Sequence, residues 1–537
     1  LAPSKYVEAV EQALDQLEQT DVVRRIWAKD HTIWKADPTE ITDRLGWLDV
    51  TSYMLTQVES LTKVANDVKA AGLRHIVLLG MGGSSLGPEV LRQVIGSSPG
   101  HPELIVLDST VPAWIRSVSQ AIDPAKSLFI VSSKSGGTIE SNTLYRYFRA
   151  LVDSAVGQEE AGSYFVAVTD AGSALEALAE RDGFRKAFIN PSDIGGRYSV
   201  HSFFGLVPAA MAGMDLNRLI QGFDEMASQC SPEVALRENP GAVLGATMAV
   251  MAAQGRDKLT LVASPSISGF GLWAEQLLAE STGKEGKGIV PVADEPLLRP
   301  EAYGNDRLFV HLRMAGDNNA EADAKLRVLE DAGHPVVHFD LSDAYDIAAE
   351  FFRGEFATAV AGAVLGIQPF DQPNVQQAKD MTDKVLSDYR SSGVKPGLED
   401  LGSLREMLSQ AKPGDYLAVM AYVEQTPETD AGFHSLREAV MQRYNIATTL
   451  GYGPRFLHST GQLHKGGPDT GLFLQITAPH EKDIAIPGLD FSFGVLADAQ
   501  ASVDLVALVA QGRRAARVIL SPDIATSITQ IVTSISS

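Results

Sequence analysis

Four apolar runs of strand length stand early in the chain: "HIVLLG" (75–80), "ELIVLDS" (103–109), "SLFIVSS" (127–133) and "YFVAVTD" (164–170). Each gap between them has room for a helix. This β-α-β-α rhythm predicts a doubly wound parallel sheet, because parallel neighbours need a crossover, usually helical. The rhythm restarts with "KLTLVAS" (258–264), "GIVPV" (288–292), "RLFVHLR" (307–313) and "PVVHFDL" (335–341), and closes in a small-residue helix, "FATAVAGAVLGI". A mostly helical stretch, 202–255, separates the two sets, and residues 1–60 read as helices with two tryptophan-bearing turns. Beyond a charged segment at 380–412, a further region shows "DYLAVMAYV" (415–423), "GLFLQIT" (471–477) and "RRAARVIL" (513–520). The expected fold is α/β: two doubly wound parallel-sheet domains with N-terminal helices and an extra C-terminal α/β region. The expected divisions are 1–60, 61–255, 256–379 and 380–537. A chain of 537 residues exceeds what one core organises, which also calls for several domains.

Charge narrows the partners. Lys and Arg number 45 against 67 Asp and Glu, a net charge of −22. That argues against broad binding to nucleic acid or acidic membranes, while leaving room for a small anion held by local amides and cations. Cys230 is the one cysteine, so an intramolecular disulfide and a cysteine zinc cage are excluded, which fits a reducing cytoplasm. No apolar run approaches the ~18 residues of a membrane span. The charged, helix-patterned start "LAPSKYVEAVEQALDQLEQTD" does not read as a signal peptide.

Two loops carry the first chemical signal. "LLGMGGSSLGPEVL" follows a strand and opens a helix. Gly80, Gly82 and Gly83 permit close backbone approach, Ser84 and Ser85 add hydroxyls, and the helix-start amides favour an anion. A tight turn without ligand would read the same way. A dinucleotide site also enters, with Asp108 at the next strand end, but Ser85 stands where the third glycine of G-x-G-x-x-G belongs. "IVSSKSGGTIESNT" decides between them. It also follows a strand and gathers Ser133, Lys134, Ser135 and Thr138 around Gly136 and Gly137. Hydroxyls from two adjacent strand ends suit one terminal phosphate, so a phosphomonoester is favoured over a dinucleotide.

The loops do not stand alone. "GMGGSSLGP" and "SSKSGGTIES" resemble the two phosphate loops of the glucose-6-phosphate isomerase family, which is built from paired sugar-isomerase (SIS) domains. "DIGGRYSVHSFFGLVP" is similar to that family's arginine signature, "WAEQLLAESTGKEGKG" to its glutamate segment, and "GIQPFDQPNVQQAK" to its lysine-bearing helix start. The motifs follow family order over residues 80–379. The N-terminal helices and C-terminal region look most like the isomerase half of fused transaldolase/glucose-6-phosphate isomerase proteins. A transaldolase domain fused ahead of Leu1 is therefore an expectation, as is a homodimer.

The resemblance implies interconversion of glucose 6-phosphate and fructose 6-phosphate through an enediolate, with neither cofactor nor metal. Alternatives are a broader isomerase that also takes mannose 6-phosphate, and a non-catalytic sugar-phosphate binder on the same fold. The chemistry needs a base reaching both carbons, a cation for the oxyanion and a proton shuttle for the ring. The resemblance assigns Glu280 as base, with Gln276 four residues earlier on the same helical face. A carboxylate near a helix C-terminus faces an unfavourable dipole, so a raised pKa is expected. Arg197 would serve the developing oxygen. Gln372 and Lys379 would share one face of a helix starting at Pro373, Gln372 binding substrate and Lys379 assisting ring opening. Gly83, Ser84, Ser133, Lys134, Ser135 and Thr138 would hold the phosphate.

One departure stands out. Many members carry a ring-opening histidine shortly after the glutamate, but "GIVPVADEPLLRPEAYGNDRLF" contains none. "FLHSTGQLHKGG", far downstream, resembles the family's "LHSxGQ" pattern and makes His458 the expected replacement, reaching the site from its own chain or from a partner subunit. His464 is the rival. A metal site on these two histidines is disfavoured, since neither cysteine nor a firm carboxylate partner accompanies them.

Overall fold

The computed structural model describes residues 4–394, 396–398 and 400–536, without the side chains of residues 4, 5 and 375–380. Strands among the described residues form three sheets. The first contains β1 (His75–Leu79), β2 (Glu103–Leu107), β3 (Ser127–Ser132), β4 (Phe165–Asp170) and β5 (Lys186–Asn190), ordered β2-β1-β3-β4-β5. The second contains β6 (Lys258–Ala263), β7 (Val290–Val292), β8 (Arg307–Met314) and β9 (Val336–Leu341), ordered β7-β6-β8-β9. The third contains β10 (Tyr416–Tyr422), β11 (Ala447–Tyr452), β12 (Gly471–Thr477) and β13 (Arg514–Ile519), ordered β11-β10-β12-β13. All paired strands run parallel.

The three sheets share one winding rule. The chain starts at an inner strand, adds the second strand on one side, then reverses to add the third on the other. That reversal leaves a crevice at the carboxyl ends of the first and third strands. In the first sheet, Leu79 at the end of β1 pairs with Val131 of β3. The two hydroxyl-rich loops therefore leave the sheet side by side. Central strands are buried on both faces: all residues of β3, β10 and β12 lie inside. That is why they read as continuous apolar runs rather than alternating ones. The C-terminal region, expected only as an extra α/β unit, is a third doubly wound sheet of the same order.

The N-terminal helices (Ser4–Gln19, Val22–Trp27, Val50–Ala70) are tied down by their tryptophans. Trp27 Nε1 donates to the Cys230 carbonyl at 2.9 Å and Trp34 Nε1 to the Ala359 carbonyl at 2.8 Å, while Trp47 is fully buried. The Trp27 and Trp34 rings thus add apolar area and a satisfied polar edge. The helix Val50–Ala70 runs across the expected division at 60, and Pro373–Ser392 across that at 379.

Two polar clamps hold the third sheet. Against the second domain, buried Arg437 donates to the carbonyls of Ala293 and Asp294 at 2.8 and 2.7 Å, and to that of Thr448 in β11 at 2.9 Å. Against the first, Arg455 forks onto Asp108 with distances of 2.8 and 2.9 Å. One helix corrects the apolar-run reading: Phe493–Ala510 is long and apolar enough to cross a bilayer. It carries Asp498 and Asp504, and 67% of it is buried against the protein, which makes it a core helix of the third domain.

Candidate active site

The first loop is shaped by what it touches. Gly82 has φ +55°, and a Cβ there would lie 2.8 Å from Gln276 Nε2 and 2.9 Å from the His458 carbonyl. A Cβ on Gly83 would overlap the Gly196 carbonyl. Glycine is therefore required where this loop meets the Arg197 turn, the Glu280 helix and the His458 segment. Ser84 is buried beside Ser85, whose hydroxyl donates to Asp108 at 3.0 Å. Asp108 is fully buried, and its carboxylate bridges Ser85 and Arg455. This bidentate strut uses the oxygens a dinucleotide ribose would need, which removes the dinucleotide reading.

In the second loop, Ser133 Oγ lies 3.1 Å from Thr138 Oγ1 and accepts the Gly136 amide. Ser135 Oγ accepts the Gly137 amide at 3.2 Å. These hydroxyls cluster at the start of the helix Ile139–Val156, where backbone amides favour an anion. Lys134 differs from its fellows. Its ammonium donates to Asp170 at 2.5 Å and to the Ser192 carbonyl at 2.7 Å, so in this structure it braces the loop against the end of β4.

Across the crevice, the helix Phe270–Thr282 presents Gln276 and Glu280. Glu280 is 4% exposed, and Arg197 Nη1 donates to its Oε2 at 3.1 Å. Gln276 Nε2 donates to the same oxygen at 3.4 Å and to the His458 carbonyl at 2.8 Å. Burial pushes the Glu280 carboxyl above its ordinary range, and Arg197, then His458, pull it partly back. The helix dipole is the cause the sequence suggests for a raised value; the principal cause in the structure is desolvation. Arg197, itself 4% exposed, also donates to Ser281 Oγ (2.9 Å), the Pro369 and Asp371 carbonyls (2.8 and 3.0 Å) and Gln372 Oε1 (3.4 Å). Such a fork holds the guanidinium plane beside Glu280.

Gln372 stands at the N-cap position of the helix Pro373–Ser392, whose start falls where the sequence places it. The Lys379 side chain lies outside the described residues. A cation that sequence reasoning missed is Lys284, buried two residues past the Glu280 helix. Its ammonium donates to the Gln368 and Asp371 carbonyls (2.6 and 2.7 Å) and to the Asp371 carboxylate. Burial, then Arg197, lower it to about 7, against the opposing pull of Asp371. Lys284 and Arg197 together fix the turn that carries Gln372.

Within the chain, His458 is the histidine beside Gln276 and Glu140. Its Nε2 lies 2.9 Å from Glu140 Oε1, and Glu140 is the second residue of the helix following the second loop. Glu140 is buried and was not singled out from sequence; the signal available was an acid in "GGTIES", beside a phosphate loop. His464 goes elsewhere. It is 3% exposed, its ring lies 5.0 Å from that of Phe473, and burial lowers it to about 3. The two histidines of "HSTGQLH" therefore do not converge on a metal.

A parallel-sheet switch point, two hydroxyl-lined loops and a buried carboxylate–guanidinium pair are the arrangement that a phosphosugar isomerase requires. Comparison with known proteins makes the family specific. The phosphoglucose isomerase family model matches residues 46–288. The glucose-6-phosphate isomerase of Rubrobacter xylanophilus is 31% identical over 375 residues, covering 60% of this chain and 85% of that protein. A crystal structure of a hypothetical protein from Thermus thermophilus superposes with TM-score 0.62 at 25% identity, covering 72% of this chain and 99% of the other. A glucose-6-phosphate isomerase from Chlamydia trachomatis gives TM-score 0.61 at 17% identity, covering 71% and 86%. The chain belongs to the phosphoglucose isomerase family. His458 lies outside the stretch matched by the family model.

Proposed function

We propose that this chain interconverts glucose 6-phosphate and fructose 6-phosphate. The observation that carries the reading is the buried Arg197–Glu280 pair, 3.1 Å apart beside the two loops. The loop hydroxyls of Ser84, Ser133, Ser135 and Thr138, with the amide of Gly83, hold the phosphate, and Lys134 braces the second loop. His458, assisted by Lys379, opens the ring. Glu280 then moves a proton between C1 and C2, and Arg197 stabilises the enediolate oxygen. Gln276 and Gln372 orient the sugar hydroxyls. Burial supports the base role, since a desolvated carboxylate is a stronger base than an exposed one. The relatives support this pair of hexose phosphates over a broader isomerase or a non-catalytic binder. A cytoplasmic homodimer with a fused transaldolase domain is part of the reading, supported by the family resemblance.

The direct test is a coupled assay on the purified chain. Fructose 6-phosphate should yield glucose 6-phosphate, read by a dehydrogenase that reduces a nicotinamide. Binding of sugar phosphate with no turnover would overturn the enzyme reading in favour of a sensor.

The pair also sets a pH dependence. Glu280 must be ionised to accept a proton, so activity falls as pH drops through its raised pKa. Arg197 lowers that pKa, so Arg197→Met should move the acid limb of kcat/KM to higher pH, with Arg197→Lys in between. Comparing variant with wild type on one substrate cancels the substrate phosphate's own ionisation. An unmoved limb would show that Glu280 is not the titrating group.

A further inference from the structure

Among the described residues, Glu140 Oε1 has a partner beyond the histidine. Besides His458, Gln500 Nε2 donates to it at 2.6 Å. Gln500 is 3% exposed and projects from Phe493–Ala510, the core helix of the third domain. Its Oε1 accepts the hydroxyl of Thr110, which is fully buried just beyond β2, at 2.8 Å. The carboxylate, which can only accept, fixes the amide's orientation. Flipped, the amide would set its oxygen against the Glu140 carboxylate and lose that bond, whereas the Thr110 hydroxyl can turn to accept. The helix is anchored at the next residue. Gln475 of β12 and Arg517 of β13 donate to the Ala501 carbonyl at 2.9 and 3.2 Å, and Arg517 Nε donates to Gln475 at 2.7 Å. The third sheet thus sets the depth of Gln500 against Glu140.

We infer that Gln500 is a positioning residue for ring opening, acting through Glu140 to hold His458 in one tautomer. The inference rests on the proposed role of His458. A carboxylate buried beside an imidazole competes for its proton. A second donor stabilises the carboxylate as an anion, so that it accepts from His458 Nε2–H rather than taking the proton. With Nε2 protonated, Nδ1 is the nitrogen that exchanges a proton with the sugar ring oxygen or the anomeric hydroxyl. Thr110 of the first domain and Gln500 of the third then act as one latch. The third domain supplies both the histidine and part of what orients it.

The test uses Gln500→Leu and the milder Thr110→Val, which removes only the hydroxyl that holds the far end of the amide. Two substrates separate the steps: fructose 6-phosphate, which must open, and its 5-deoxy analogue, which lacks the ring-forming hydroxyl and stays open. Gln500→Leu should lower kcat on fructose 6-phosphate about tenfold, the scale at which a histidine's orienting partner is felt. The 5-deoxy substrate should turn over within about twofold of wild type, which also shows that the fold and the Glu280 step are intact. Thr110→Val should shift rates in the same direction and less. The ring ¹⁵N shifts of His458 should move from one dominant tautomer toward a mixture in Gln500→Leu. Unchanged rates and unchanged ¹⁵N shifts would overturn the inference, as would equal losses on both substrates. His458→Ala runs alongside: if it too loses both substrates equally, the ring-opening role fails, whereas a selective loss there with a silent Gln500→Leu sinks the latch alone.

Discussion

Glu280→Gln should lower kcat roughly 10²- to 10⁴-fold, the span removed with a general base, while the affinity for a non-isomerisable sugar phosphate stays near wild type. Glutamine matches glutamate in shape and keeps an oxygen to accept from Arg197, but it cannot carry the proton between carbons. The proposed phosphate contacts lie on the two loops, away from the changed atom. Folding is a fair concern, because breaking a buried ion pair costs about 3–5 kcal/mol when a charge is left unsatisfied. Arg197 keeps its donations to Ser281, Pro369, Asp371 and Gln372, so the loss in Tm should be modest. Steady-state rates with an inhibitor titration and a thermal melt check this. A variant that folds, binds and turns over at the wild-type rate would remove Glu280 from the mechanism.

The second large effect belongs to His458. His458→Ala should reduce turnover of cyclic fructose 6-phosphate by about two to three orders of magnitude, the scale of a lost proton shuttle. The 5-deoxy substrate, which presents its carbonyl without ring opening, should lose far less. The substitution spares the local architecture. The contact with Gln276 uses the His458 backbone carbonyl, which alanine retains, and the Arg455–Asp108 fork holds the same turn. A difference between the two substrates therefore reports chemistry rather than collapse of the loop. Loss of both activities together would mean that His458 serves the isomerisation step or shapes the site.

Some of this was readable in one dimension. The strand runs at 75–80, 127–133, 258–264, 307–313 and 471–477 lie within a residue or two of β1, β3, β6, β8 and β12. Buried parallel strands announce themselves as unbroken apolar segments. β5, "KAFIN", and β11, "ATTLGY", were not singled out: the first is short and half-exposed, the second broken by threonines and a glycine. The Asp108 ambiguity, ribose ligand or something else, could not be resolved locally, since its partner Arg455 is 347 residues away. Glu140 escaped for the same reason: His458 lies 318 residues on and Gln500 360. Lys284 read as one basic residue in "GKEGKG", and only its burial distinguishes it.

The residues themselves determined the order of strands and helices, the two glycine–hydroxyl loops and the short-range pairing of Gln276 with Glu280. Each of those follows from interactions within a few turns of chain, which leave periodicity and composition as their trace. Tertiary structure alone decided that His458 rather than His464 lies beside Glu140 and Gln276, and that burial rather than the helix dipole raises the Glu280 pKa. Desolvation and long-range hydrogen bonding depend on how three separately wound sheets pack together. That packing brings Glu140, His458 and Gln500 to one point, although no local pattern in the chain links them.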